Sequence, residues 1–291
     1  MVHNNPILIS FDIEDWLQST WDRTLPISKV SYENTSKLLD ILDEHKVKAT
    51  MFILGKFADE YPEIIKRMHN DGHEIACHGF NHIEIFNQSK IEFKKDVYKT
   101  KNLLEDLIGS EINGYRAPDF SITKDSLWAL DILIDLGFKY DSSIFPIKHN
   151  RYGIKEWPTT ICKVKTNRNN NSILEVPLST VALKSHNIPV SGGGYFRLFP
   201  KFLFSLFAKT VLKTRPFIYY GHPYEINPYE LSEIKHEIPI KYKIHQNLGR
   251  RFVEKRLKAL FKNFDTDTIF GYISGNLAKF PTRNLNNQKF R

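Results

Sequence analysis

Two histidines four positions apart, His78 and His82, follow the apolar run Ile75-Ala76-Cys77 with Gly79 between them. Imidazole is the commonest neutral ligand for zinc and similar ions. The spacing lets both rings reach one ion, from a helical face or around a tight loop. Such a pair becomes a site only where carboxylates converge on it. The run Asp12-Ile13-Glu14-Asp15 places three carboxylates in four positions, a crowding that is costly unless a cation or a proton sits among them. One carboxylate with two imidazoles gives three protein ligands and open positions for water and substrate, the stoichiometry of a catalytic metal site. A second carboxylate, outside the metal shell, would be free to act as general base. Arg116 lies on the proline-stiffened loop Tyr115-Arg116-Ala117-Pro118-Asp119-Phe120, where a guanidinium can hold such a base in orientation. His222 follows an apolar strand and is placed to be a general acid that protonates a leaving amine.

These residues need elements to bring them together. Ile7-Leu8-Ile9 and Met51-Phe52-Ile53 read as short buried strands, as do the segments at His73–Cys77, 112–116, 138–141 and 217–220. Between them, 32–45, 58–70, 91–107 and 126–136 carry apolar residues at helical spacing. Strands alternating with helices point to parallel βα units. The polar residues above all fall at or just after strand ends, where parallel α/β folds build their active sites. The rhythm fades between Asn150 and Thr180, where 167–171 reads as an exposed turn. The apolar and basic stretch 198–209 reads as a helix packed on the core, with a place on a membrane surface as the alternative.

The chain of 291 residues, 41% hydrophobic and 25% charged, is long enough for one large core. No apolar run approaches the ~20 residues that span a bilayer, and the N-terminus shows no signal peptide pattern. A cytoplasmic or cytoplasmic membrane-face location is the expectation. Cys77 and Cys162 make neither a disulfide framework nor a Cys-x-x-Cys metal knot. The net charge of +8 is concentrated from Arg250 onward, where ten Lys/Arg face three Asp/Glu. That basic segment suits peripheral contact with an anionic membrane surface. No nucleic-acid motif accompanies it, so nucleic acid is not an expected partner.

Taken in order, Phe11-Asp12-Ile13-Glu14-Asp15-Trp16, Gly72-His73-Glu74-Ile75 with His78 and His82, Arg116-Ala117-Pro118 and His222 resemble the polysaccharide deacetylases. These are the carbohydrate esterases with the NodB homology domain. Ala49–Gly55 is similar to the family's second strand. The segments 140–146, 175–177, 192–197 and 222–226 are similar to a subgroup linked to bacterial exopolysaccharide and cell-surface glycan clusters. The resemblance covers about residues 7–226 of a single domain, 1–291, with a basic helical extension at about 250–291. It implies an α/β fold, a distorted (β/α) barrel of about seven parallel strands. It also implies one divalent metal, zinc first and cobalt, nickel or iron as alternatives, and hydrolysis of an N-acetyl group on a glycan.

The implied roles are His78 and His82 as metal ligands, His222 as acid, and Tyr115, Arg116, Pro118 and Trp16 as substrate-binding or orienting residues. A backbone N–H near Tyr115-Arg116 would support the oxyanion. The family's adjacent aspartate pair is here Asp-Ile-Glu-Asp, which leaves two alignments. Asp12 is the base with Asp15 or Glu14 as ligand, or Glu14 is the base with Asp15 as ligand. Strand alternation favours Asp12 as base, and Asp15 is taken as ligand. An allantoinase-like C–N hydrolase and a non-catalytic glycan-binding module are the alternatives.

Overall fold

An apolar, β-branched run can bury both of its faces, which is what a strand inside a parallel sheet requires. In the computed structural model, which describes residues 5–166, 171–184, 186–233 and 238–285, the first such run is the fully buried β1 (Ile7–Ile13). The alternation read from the sequence continues through α1 (Lys29–Glu44), β2 (Thr50–Ile53), α2 (Gly55–Glu60), α3 (Pro62–Asn70) and β3 (Glu74–Cys77). It goes on with α4 (Lys90–Ile108), β4 (Gly114–Tyr115), α5 (Ala129–Asp135) and β5 (Tyr140–Asp141). Then come β6 (Cys162–Lys165), β7 (Ser172–Glu175), β8 (Thr180–Leu183), β9 (His186–Pro189), α6 (Gly194–Leu198), α7 (Lys201–Leu212) and β10 (Phe217–Gly221). The chain ends with α8 (Glu230–Glu233), α9 (Ile240–Asn247), α10 (Val253–Asn263), β11 (Thr266–Asp267), α11 (Ile269–Ser274) and β12 (Thr282–Asn284).

Seven strands in the order β10-β1-β2-β3-β4-β5-β7 run parallel, so all their carboxyl ends face the same way. β6 then pairs antiparallel with β7, and β12 joins β6. Among the described residues the end strands β10 and β12 do not pair, so the ladder is not a closed barrel. Helix side chains such as Leu38, Ile65, Phe93 and Leu133 fill the core against Ile9, Met51 and Ile75 of the sheet.

Local chemistry explains the element ends. Ser28 caps α1 by accepting from the Ser31 N–H, and Ser89 with Glu92 forms a capping box on α4. α4 stops at Gly109, whose φ of +66° is the left-handed value glycine tolerates best. The single helix expected over 58–70 is two, because Pro62 disfavours a helical Tyr61, which sits at φ −130°, ψ 62°. Gly192 lets the chain lie against β10. An added Cβ there would come within 1.7 Å of the Tyr220 carbonyl oxygen.

The C-terminal extension is not wholly helical: β11 pairs with β1 and β12 with β6. Some of its charges are paired within the chain, one in the interior and one at the surface. Arg250 is buried against Glu230, and Lys258 pairs with Glu44. The turn expected at 167–171 falls, except for Asn171, outside the described residues. No helix among the described residues is long and apolar enough to cross a membrane.

Candidate active site

Because the parallel strands share one direction, their ends meet. β1 carries Asp12 and is followed by Glu14. β3 is followed by His78, β4 by Arg116 and β10 by His222. Asp12, Glu14, His78, His82 and Arg116 are all buried. The His82 Nε2 lies 2.8 Å from Glu14 Oε2, and the His78 Nε2 lies 3.5 Å from the same oxygen. Arg116 Nη1 donates to Asp12 Oδ1 at 2.7 Å. The other Asp12 oxygen points toward His222, whose Nε2 is 3.9 Å away and 3.7 Å from Glu14 Oε1. Asp12, Glu14, His78, His82, Arg116 and His222 therefore form one cluster.

Asp15 does not join it. Its Oδ1 accepts from the Leu17 N–H at 2.7 Å, and its Oδ2 accepts from the Ser28 N–H at 2.6 Å. The carboxylate that faces the two histidines is Glu14, which corrects the expectation of Asp15. The reason is that Asp15 turns back to satisfy the backbone donors of the segment leaving the strand.

Three more expected site residues sit elsewhere. The Tyr115 ring packs edge-on against Phe93 and Phe138 in the core. Trp16 is buried with Leu17, Tyr224, Leu231 and Ile238 in a satellite cluster. Pro118 opens a tight turn behind the cluster, and its ring packs near Gly79. The Arg116 and Ala117 N–H groups are engaged by the Cys77 carbonyl and Ser143 Oγ, so neither is free for an oxyanion.

Each cluster member is held from behind. The Arg116 guanidinium stacks 3.9 Å over Phe52 and donates to the Ser142 carbonyl and Oγ. The Ser143 hydroxyl donates to Asp141, which shares a side-chain hydrogen bond with Glu175. Burial pushes both of those carboxyls up, and the charge of Asp141 raises Glu175 further. His222 stacks on Tyr224 at 4.7 Å and has Nδ1 3.6 Å from Glu225 Oε2, while Arg197 Nε meets Glu225 Oε1 at 3.1 Å. Glu225 and Arg197 escaped the reading of roles from the sequence, where they appear only inside the resemblance. The local signal was the His-x-x-Glu spacing of a capping box, now seen around His222 and Glu225.

Burial alone would raise the Glu14 carboxyl, but the imidazoles of His82 and His78 hold it well below its usual range. His82 is raised because the Glu14 charge outweighs its burial. Burial opposes charge on His222, yet the nearby carboxylates of Glu225, Glu14 and Asp12 lift it to about 9. Backbone strain gathers here too. His82, Asp119 and Phe120 have φ of 56°, 53° and 52°, values costly for residues with side chains and common at functional sites.

The donors suit a metal. Glu14, His78 and His82 bring one ligand atom each to within 4.8 Å of one another, all buried. Glu14 Oε2 makes no hydrogen bond, so only the imidazoles answer its charge. The His78 Nδ1–H donates to the Arg116 carbonyl at 2.8 Å, which leaves the Nε2 lone pair facing the carboxylate. Two imidazoles and one carboxylate around a common point fit a zinc-like divalent ion.

Residues 4–140 match the family model described as polysaccharide deacetylase, and residues 142–273 match a domain of unknown function (DUF3473). A peptidoglycan-N-acetylglucosamine deacetylase of Bacillus cereus is 37% identical over 100 residues, 34% of this chain and 36% of that protein. A peptidoglycan-N-acetylmuramic acid deacetylase of Bacillus subtilis is 30% identical over 106 residues, 35% of this chain and 40% of that protein. The matches thus span well under half the length of these relatives. In fold, the chain is similar to the crystal structure of a polysaccharide deacetylase described as putative in its own title, from Mycobacterium smegmatis. The TM-score is 0.64 at 17% identity, over 97% of this chain and 94% of that one. A crystal structure of a peptidoglycan N-acetylglucosamine deacetylase superposes with a TM-score of 0.51 at 18% identity, over 93% and 89% of the two chains.

Proposed function

We propose that this chain, whose residues 4–140 belong to the polysaccharide deacetylase family, is a metal-dependent hydrolase that removes N-acetyl groups from a bacterial surface glycan or its precursor. The observation that carries the reading is the buried Glu14, His78 and His82 triad, with Asp12 and His222 beside it. Glu14, His78 and His82 hold the ion, with zinc the best match to the donors. When bound, it supplies Lewis-acid polarisation and lowers the pKa of coordinated water.

The remaining chemistry belongs to side chains. Arg116 clamps one oxygen of Asp12 and leaves the other exposed to the site, so Asp12 is the general base. His222 gives a proton to the departing amine, and Glu225 behind it holds the ring in place. The products are acetate and a sugar with a free amine. The relatives named for N-acetylglucosamine and N-acetylmuramic acid support an N-acetylhexosamine as the substrate unit.

The test is acetate release from N-acetylglucosamine oligomers by the zinc-reconstituted protein, beside Asp12→Asn and His78→Ala. Turnover by the parent and its loss in both variants is the expected result. A protein that binds its ion yet releases no acetate from any N-acetylated oligosaccharide would overturn the reading.

A further inference from the structure

Fifteen large apolar side chains are exposed among the described residues, and nine of them lie between Leu198 and Phe252. Single exposed apolar residues are ordinary, whereas a cluster marks a surface that meets something. Two helices build it. On α7, Phe204, Ala208, Val211 and Leu212 turn inward, while Phe202, 74% exposed, and Leu206 one turn later face out. α9 buries none of its residues, yet Ile240 and Ile244 are 71% and 63% exposed, and Leu248 follows at the same step of four. A groove of about 580 Å³ beside α7 includes Phe202, Lys201 and Lys209, and one of about 810 Å³ beside α9 includes Ile240, Ile244 and Arg251. Arg256 lines both, so the two are contiguous.

Along α7 and the stretch holding α9 the charge has one sign. Residues 201–213 contain three lysines, and residues 239–252 contain two lysines and two arginines, with no Asp or Glu in either stretch. Arg250 is buried in its ion pair, but Lys201, Lys209, Lys213, Lys241 and Arg251 are exposed. We propose that this face docks on an anionic phospholipid bilayer. Such a surface offers negative headgroups to the lysines and, directly beneath, hydrocarbon to Phe202, Leu206, Ile240 and Ile244. A second copy of the chain fits poorly, since a twofold contact would set the same unbalanced cations against each other. Arg197 lines the α9 groove and pairs with Glu225, which backs His222. The sequence offered the basic segment from Arg250 onward and, as the alternative for 198–209, a place on a membrane surface. The exposed apolar steps favour α7, within the latter, together with α9.

The test is co-sedimentation of the full chain with phosphatidylcholine vesicles, with and without phosphatidylglycerol. The expected result is binding only to the anionic vesicles, weakened by added salt. Lys201→Gln and Lys241→Gln should each lose about fivefold in partitioning. The pair Phe202→Ser with Ile244→Ser should lose roughly tenfold or more. Lys94→Gln, on an exposed face of α4, should change nothing. These side chains are exposed, so folding is not at stake, and the lipid and salt dependence of the parent decides the matter even without them. No binding of the parent to anionic vesicles at low salt overturns the proposal. So does binding that persists in the Phe202/Ile244 pair, and so does a lipid-free dimer that this pair dissociates while vesicle binding is absent.

Discussion

Asp12→Asn keeps the size of the side chain and one oxygen for Arg116, but removes the negative charge that could accept a proton from water. The expected outcome is normal metal content with activity reduced by at least about a hundredfold, read by elemental analysis and acetate release on the same sample. The neighbouring carboxylates separate by a second pair of variants. Glu14→Gln should lose tenfold or more in metal affinity, because it removes the anionic donor of the triad. Asp15→Asn should leave metal content unchanged and cost about 1–2 kcal/mol of stability, since it weakens a cap on two backbone N–H groups. Zinc titration with urea unfolding on both variants checks the assignment, and the reverse pattern would return the ligand role to Asp15. Adjacent positions in the sequence thus differ because the chain turns after β1, leaving Glu14 against the imidazoles and folding Asp15 back onto the Leu17 and Ser28 N–H groups.

At the scale of elements, the hydrogen-bonded pair Asp141 and Glu175 ties β5 to β7 and reaches the site through Ser143 and Ser142. Its carboxyls are raised by burial, so the folded protein binds a proton that the unfolded chain releases above its ordinary carboxylate pKa. This contribution to stability is complete below that unfolded value and is lost as pH rises through the pair's higher folded pKa. Glu175→Gln keeps an acceptor for the Ile144 N–H and supplies a donor to Asp141 without titrating. Urea unfolding across pH 4 to 8 should then show a flatter fall of stability with pH in the variant than in the parent. Parallel curves would mean that the pair does not share a proton. The Gly192 contact is a second element-level constraint. Gly192→Ala should cost about 3 kcal/mol or more, seen as a lowered Tm, because the methyl has no room against β10.

For the whole molecule, a metal held by Glu14, His78 and His82 as proposed would be a ligand of the folded state only, so its removal should lower stability by mass action. At a free concentration a hundred times Kd the effect is about 2.7 kcal/mol, or roughly 4–5 °C in Tm for a chain of this size. Calorimetry with and without a chelator should show that shift in the parent and none in His78→Ala. The proposed ligands come from just after β1 and the loop after β3, and the proposed acid comes after β10, so the ion and its partners would bridge strands far apart in the chain. The chain's two matched segments share this sheet: β10, from the second, lies directly against β1, from the first.

The sequence by itself determined the alternation of strands and helices, because apolar periodicity and capping residues are local signals, and it determined which residue types stand at strand ends. It reached His78, His82, Arg116 and His222 for the same reason, since each follows a strand that can be read from its own composition. Only the tertiary structure showed which of Glu14 and Asp15 faces the two histidines, because the orientation turns on which donors lie nearby, and Ser28 N–H is thirteen residues away. It also turned the Tyr115 ring into the core, placed Glu225 and Arg197 behind His222, and left the apolar steps of α7 and α9 facing outward. Those outcomes depend on packing between segments distant in sequence, and no window of neighbouring residues contains the forces that set them.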